Sequence, residues 1–279
     1  MRSHRYTFTI ALTGISRLLL ARDWLTGRMH RASDRPLPPD IAVESHQIPS
    51  GKNRLDGVWV RPTQIPVRAT VLICHGIGET VDHWLGVQEL LASHGAASLV
   101  FDYSGYGRSP GRIDAAQCEA DSIAAFEYLE RLVPGSEIAI LGFSLGSGIA
   151  AAITSRVRAS RLVLCAGFTS FRAAAHSLGI PRGLGPFVPP LWHVEQALRD
   201  CLLPVLVVHG EKDRLFPVRM AAELAECCHA ETIIVPEMGH AEPYNRPQTA
   251  YWGPIVDWIE SNHLPCPKDS ADPSLEPMR

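Results

Sequence analysis

Three side chains in this sequence have the types needed to turn a neutral hydroxyl into a nucleophile: Ser144, Asp213 and His240. Ser144 stands at the centre of Gly142-Phe143-Ser144-Leu145-Gly146. A serine hydroxyl attacks poorly until a base removes its proton and a third group holds that base. His240, after Gly239, is the candidate base, and Asp213, closing His209-Gly210-Glu211-Lys212-Asp213, is the candidate acid. Downstream of Asp213 lie His229 at a helix end, His240 in a loop after a strand, and His263 on the final helix. Only the middle one is placed to act. Glu211, nearer the preceding strand, and Asp200 compete with Asp213, and that choice stays open.

Bringing such groups together requires elements that end at one edge. The apolar run 137–141 before the serine and the small-residue stretch 147–156 after it predict a strand, a sharp turn and a helix, with Ser144 at the apex. Where the chain reverses, a Cβ two residues before or after the serine would clash, so Gly142 and Gly146 stand there. The helix that begins at the turn points unsatisfied N–H groups at the site. Elsewhere apolar runs at 69–74, 97–103, 161–166, 205–209 and 232–235 alternate with helical patterns at 82–94, 114–132, 217–228 and 248–262. The alternation predicts an α/β domain over 41–263, with a mostly parallel central sheet and helices on both faces. Two earlier runs, 41–48 and 55–61, flank Ser50-Gly51-Lys52-Asn53 and predict an antiparallel hairpin that opens the sheet. All three chemical candidates follow strands, and catalytic groups gather at the carboxyl ends of strands in such sheets.

Residues 167–201 interrupt this order. They hold Ile180-Pro181-Arg182-Gly183 and Phe187-Val188-Pro189-Pro190-Leu191-Trp192, and are too long for an ordinary connection. They are read as a short lid over the strand ends. Its apolar Phe171, Leu178, Phe187, Leu191 and Trp192 suit either an acyl group beneath the lid or packing of the lid on the body.

Composition narrows the function classes. Apolar residues make up 46% and charged residues 20% of 279, as in an ordinary globular domain. A formal net charge of −3, with Lys and Arg scattered, offers no field for nucleic acid. Seven cysteines without a C-x-x-C pair predict reduced, mostly buried thiols in a reducing, cytoplasmic compartment, and no metal site. Residues 1–40 read as a leader or amphipathic helix followed by a proline-rich linker; Arg17 interrupts an apolar run too short to span a bilayer. Contact of residues 1–28 with a membrane surface is one reading, and a helix packed on the domain or a loose leader is the other. Residues 264–279 read as a disordered tail. Oligomeric state is left open.

With these residues placed, the chain over 41–262 resembles the α/β-hydrolase superfamily of serine hydrolases. The resemblance is carried in order by His75-Gly76, Asp102-Tyr103-Ser104-Gly105-Tyr106-Gly107-Arg108-Ser109, Gly142 to Gly146, His209 to Asp213, and Gly239-His240. Gly167-Phe168-Thr169-Ser170-Phe171 and the short lid are similar to the serine aminopeptidase-like and Bem46-like group, whose members include acyl-protein thioesterases and lysophospholipases. Ser104 departs from the Arg that many hydrolases carry there. The resemblance implies a Ser144–His240–Asp213 triad with a nucleophile elbow at Ser144. It also implies an oxyanion hole from the backbone N–H groups of Leu145 and Ile77. Gly76 would let that loop turn close to the substrate, and His75 would fix it by hydrogen bonding. The implied reaction is hydrolysis of a carboxylic ester or thioester of a small-molecule or acyl substrate through an acyl-enzyme, with no metal or organic cofactor. A serine peptidase on the same triad, or a binding protein on the same fold, are the alternatives. A partial dinucleotide fingerprint at Gly76-Ile77-Gly78-Glu79-Thr80-Val81, with Asp102 as the acid, lacks its third glycine at Val81 and leaves Ser144 and His240 unexplained.

Overall fold

The structure, a computed structural model, describes residues 38–261. The leader expected over 1–40, apart from its last three residues, and the tail expected over 264–279 lie outside the described residues. Strands β1 (Ile41–Ser50) and β2 (Asn53–Pro62) pair antiparallel around Gly51-Lys52. Strands β3 (Ala69–Cys74), β4 (Ala96–Phe101), β5 (Ile138–Phe143), β6 (Arg161–Cys165), β7 (Val205–Gly210) and β8 (Glu231–Val235) follow. They form one sheet in the order β1-β2-β4-β3-β5-β6-β7-β8, parallel from β4 onward and opened by the antiparallel hairpin. This is the α/β-hydrolase architecture.

Strands β3 to β7 are buried at every residue, which is why they read as unbroken apolar runs instead of alternating ones. Helices cover both faces. On one, α1 (Val81–Ser93) and α8 (Thr249–Glu260) set Trp84, Leu91, Trp252 and Ile255 against Val71 and Leu141. On the other, α2 (Ala115–Leu132), α3 (Leu145–Ile153), α5 (Val194–Asp200) and α6 (Arg219–Cys228) set Phe126, Ile149, Leu198 and Leu224 against Leu72 and Leu164. Each such side chain contributes about 1.5–3 kcal/mol by leaving water. Helix α2 starts where the carboxylate of Asp114 accepts the Gln117 N–H at 3.1 Å. Cys74, Cys118 and Cys165 are buried thiols within this core.

The insert at 167–201 contains α4 (Phe171–Ser177), a 3₁₀ turn at 182–187 and α5. Its five large apolar residues divide. Trp192 is buried and donates its indole N–H to Glu119 of α2 at 3.0 Å, with Phe171 edge-on to it and Leu191 half-buried. Leu178 and Phe187 point outward, 57% and 80% exposed. Among the described residues no helix is long and apolar enough to cross a membrane.

Candidate active site

The turn from β5 to α3 holds Ser144 at φ 52°, ψ −119°, a conformation that costs a non-glycine residue about 1–3 kcal/mol. The flanking glycines make it attainable. A Cβ on Gly146 would lie 1.9 Å from the Cys74 carbonyl oxygen of β3, and one on Gly142 would lie 2.5 Å from the Gly146 oxygen. The Ser144 amide donates to the Cys165 carbonyl of β6 at 3.0 Å, and the Ser147 hydroxyl donates to the Ser144 carbonyl at 2.6 Å. Both contacts hold the strained apex in place.

His240 and Asp213 arrive on the loops after β8 and β7. The loops are joined by backbone hydrogen bonds from Glu211 to Val235 and from Lys212 to Met238, both 3.0 Å. The short helix α7 (Glu242–Asn245), which the sequence reading missed, closes the loop, with the Glu242 carboxylate accepting the Gly239 N–H at 2.7 Å. His240 Nδ1 lies 2.7 Å from Asp213 Oδ2, and Nε2 lies 2.9 Å from Ser144 Oγ. An ionised carboxylate only accepts, so the proton sits on Nδ1 and Nε2 is left to accept from the serine.

Asp213 is held charged. Burial alone would raise its pKa, but hydrogen bonds from His209, His240 and the Phe216 amide outweigh burial and hold it well below the usual range. Oδ1 accepts the Leu215 and Phe216 amides at 2.8 Å each, and His209 Nε2 stands 3.4 Å from Oδ2 while donating to the Phe216 carbonyl. Glu211 points into solvent, and Asp200 accepts from Gln196 on the surface of α5. Of the three acids considered from the sequence, Asp213 alone contacts His240. His229 ends α6 in the left-handed region, and His263 lies outside the described residues.

Opposite the serine runs the loop after β3. The N–H groups of Ile77 and of Leu145, the first residue of α3, have no acceptor among the described residues. The imidazole of His75 is fully buried; burial lowers its pKa to about 4, and its Nδ1–H donates to the Gly76 carbonyl at 2.9 Å. Gly76 is closely hemmed in. The space a Cβ would take is filled by the carboxyl of Glu79, 2.5 Å away, with Ser144 Cβ at 3.2 Å. Glu79 Oε2 accepts the Gly76 amide at 2.8 Å and the Trp84 indole N–H at 2.9 Å, and burial pushes its pKa up to about 8. Sequence reasoning passed over Glu79. The available signal was a glutamate three residues after a loop glycine and just before a helix, a spacing that lets a side chain reach back to a backbone amide.

Asp102, the acid of the dinucleotide alternative, is engaged elsewhere: its carboxylate accepts the Val81 amide at 2.8 Å and the Arg108 amide at 3.1 Å. Beside the triad stands an aromatic wall, with Phe216 edge-on to His240 at 5.1 Å between centroids and Phe168 against Phe216 at 5.5 Å.

Residues 69–192 match the family described as alpha/beta hydrolase fold. An uncharacterized protein of Mycobacterium tuberculosis is 30% identical, over 75% of this chain and 74% of its own length. Protein bem46 of Schizosaccharomyces pombe is 29% identical, over 65% of each chain. Lysophosphatidylserine lipase ABHD12 of Mus musculus is 26% identical over 64% of this chain, which spans 51% of that relative. Among solved structures, an esterase of Pyrococcus furiosus superposes with a TM-score of 0.64 at 20% identity, covering 81% of this chain and 97% of its own, a likeness of fold. The sheet order, the elbow and these relatives together make this chain a member of the α/β-hydrolase superfamily, in its Bem46-like group.

Proposed function

We propose that the protein is a serine hydrolase that cleaves the carboxylic ester or thioester of an apolar acyl group through an acyl-enzyme. The observation that carries this is the continuous line from Asp213 Oδ2 through the imidazole to Ser144 Oγ, at 2.7 and 2.9 Å. Ser144 Oγ attacks the acyl carbonyl while His240 Nε2 takes its proton, and Asp213 stabilises the imidazolium so formed. The N–H groups of Ile77 and Leu145 hold the negative oxygen of the tetrahedral intermediate. On collapse the alcohol or thiol leaves with the proton from Nε2. Water then attacks the acyl-enzyme, gives its proton to Nε2, and the acid departs as Ser144 regains its hydrogen.

The apolar side of the substrate is argued from the wall of Phe168 and Phe216 beside the triad. The likeness to a protein named as a lysophosphatidylserine lipase supports an ester over a peptide. Fluorophosphonate labelling of the wild-type protein beside Ser144→Ala tests the nucleophile, and nitrophenyl esters of increasing acyl length beside aminoacyl-nitroanilides test the substrate class. Labelling and ester turnover should both vanish in Ser144→Ala. Turnover of the nitroanilides alone would replace the esterase reading with the peptidase one.

A further inference from the structure

One acid at the site takes no part in the line from Asp213 to Ser144. Glu79 is 6% exposed, and both of its donors, the Gly76 amide and the Trp84 indole, converge on the same oxygen, Oε2. Its other oxygen occupies the place where any side chain at position 76 would begin, a place that also borders Ser144 Cβ. The carboxyl therefore lies against the loop that presents Ile77, and the space it fills at position 76 borders the nucleophile. It ties the Gly76 amide to helix α1, and the Ile77 N–H, one residue on, has no acceptor among the described residues.

We propose that Glu79 is a positioning residue of the oxyanion loop that works as the uncharged acid: its carboxyl fixes the Gly76 peptide so that the Ile77 N–H faces the site, and its ionisation sets a negative charge against the oxyanion. The inference rests on the serine-hydrolase reading. Two N–H donors on Oε2 leave Oε1 as the oxygen that carries the acid's proton. Burial outweighs those donors, so the group stays protonated up to about pH 8. In a site with little water, charge a few ångströms from a developing oxyanion acts far more strongly than in bulk solvent.

The groups around Glu79 are few. His75, on the same loop, is neutral down to about pH 4 by burial. Tyr106 and Cys165 are raised above their ordinary values by burial, and the charge of Glu79 raises both further. Asp102, at the end of β4, is lifted by burial to about 7 and holds the Val81 amide of α1, which also carries Asp82 and His83. His240 faces Ser144 from the other side. Because Asp102 titrates close to Glu79, substitution identifies the group behind an alkaline decline and its position on the pH axis does not.

The test is the pH profile of kcat and KM on a nitrophenyl butyrate for full-length wild type, Glu79→Gln and Glu79→Ala, with Ser144→Ala as the reference. Glutamine keeps the acceptor and the shape but cannot ionise. Wild-type kcat should fall as pH rises through about 8. Glu79→Gln should stay within about threefold of wild type at neutral pH and lose that decline, while Glu79→Ala should lose on the order of 10²-fold in kcat with little change in KM. A Glu79→Gln profile with the wild-type decline intact overturns the charge effect, and wild-type kcat in Glu79→Ala overturns the positioning role. If the alanine variant fails to fold, as judged by its thermal melt, the glutamine profile decides. Ester turnover surviving in Ser144→Ala would sink the hydrolase reading itself, a result separate from either Glu79 outcome.

Discussion

Asp213 and Glu79 are both buried carboxyl groups on loops beside Ser144, and the protein holds them in opposite states. Burial raises the pKa of each. Around Asp213, two amides, the His240 imidazole and the approach of His209 surround both oxygens, so the charged form wins. Around Glu79, an amide and an indole share one oxygen, and burial wins. Asp102 falls between, with two amides and the nearby Arg108 guanidinium against burial, and is raised to about 7. The number and charge of donors, set against desolvation, decide which acid is ionised. The acid that contacts His240 has the full set. The acid at the Gly76 amide has the smaller one.

The largest effect that could break this contrast is at Asp213. Asp213→Asn should reduce kcat by on the order of 10⁴-fold, because the imidazole loses both its tautomer and its charge partner. Glu211→Gln should leave kcat within about twofold, since that side chain is in solvent. A reversed pair of results would move the acid's role to Glu211.

Trp84→Phe sharpens the contrast from the other side. It removes one of the two donors to Glu79, so the alkaline decline in activity should shift to higher pH. Denaturant unfolding should show a loss of about 1–3 kcal/mol for the broken buried hydrogen bond. A decline that stays at the wild-type position would mean that the indole does not tune the acid.

Stability should carry the same signature with opposite signs. Glu79 is raised in the folded state, so its contribution is fully present below the ordinary glutamate pKa of 4.5 and is lost as pH rises through about 8. Asp213 is depressed, so its contribution is present above the ordinary aspartate pKa of 3.8 and is lost as pH falls through its lowered value. Melting temperatures taken across pH should therefore show Glu79→Gln gaining on wild type toward alkaline pH, and wild type losing its advantage over Asp213→Asn toward acid pH. Parallel curves for all three proteins would show that neither carboxyl is linked to folding.

The smallest effect is expected on the outer surface of the insert. Phe187→Ser, at an outward-facing side chain, should leave turnover of a short soluble ester within about twofold. A larger drop would place the outer part of the insert in the reaction.

The elbow was legible in the sequence because its constraint is local and severe. Only glycine fits where a Cβ would stand 1.9 Å from the Cys74 carbonyl oxygen, so residue type at 142 and 146 reports the turn directly. The strands were legible because burial on both faces leaves a continuous apolar run. His240 could be picked out by its place after the last strand. Helix α7 was not, since four residues carry too little periodicity to register. The insert misled in part: Leu178 and Phe187 have the same apolar character as Trp192, and composition does not say which side faces in.

By itself the sequence determined the sheet, the serine at its turn and the places of Asp213 and His240 after strands, because periodicity and glycine placement record steric limits between near neighbours. Which carboxylate meets His240, Asp213 and not Glu211, and the upward shift of the Glu79 pKa were decided only by the tertiary structure. Both depend on donors from other segments, His240 for the one and Trp84 for the other, and on how far folding removes water from the carboxyl. A carboxyl group's ionisation depends on what surrounds it in space, and a linear pattern does not record that.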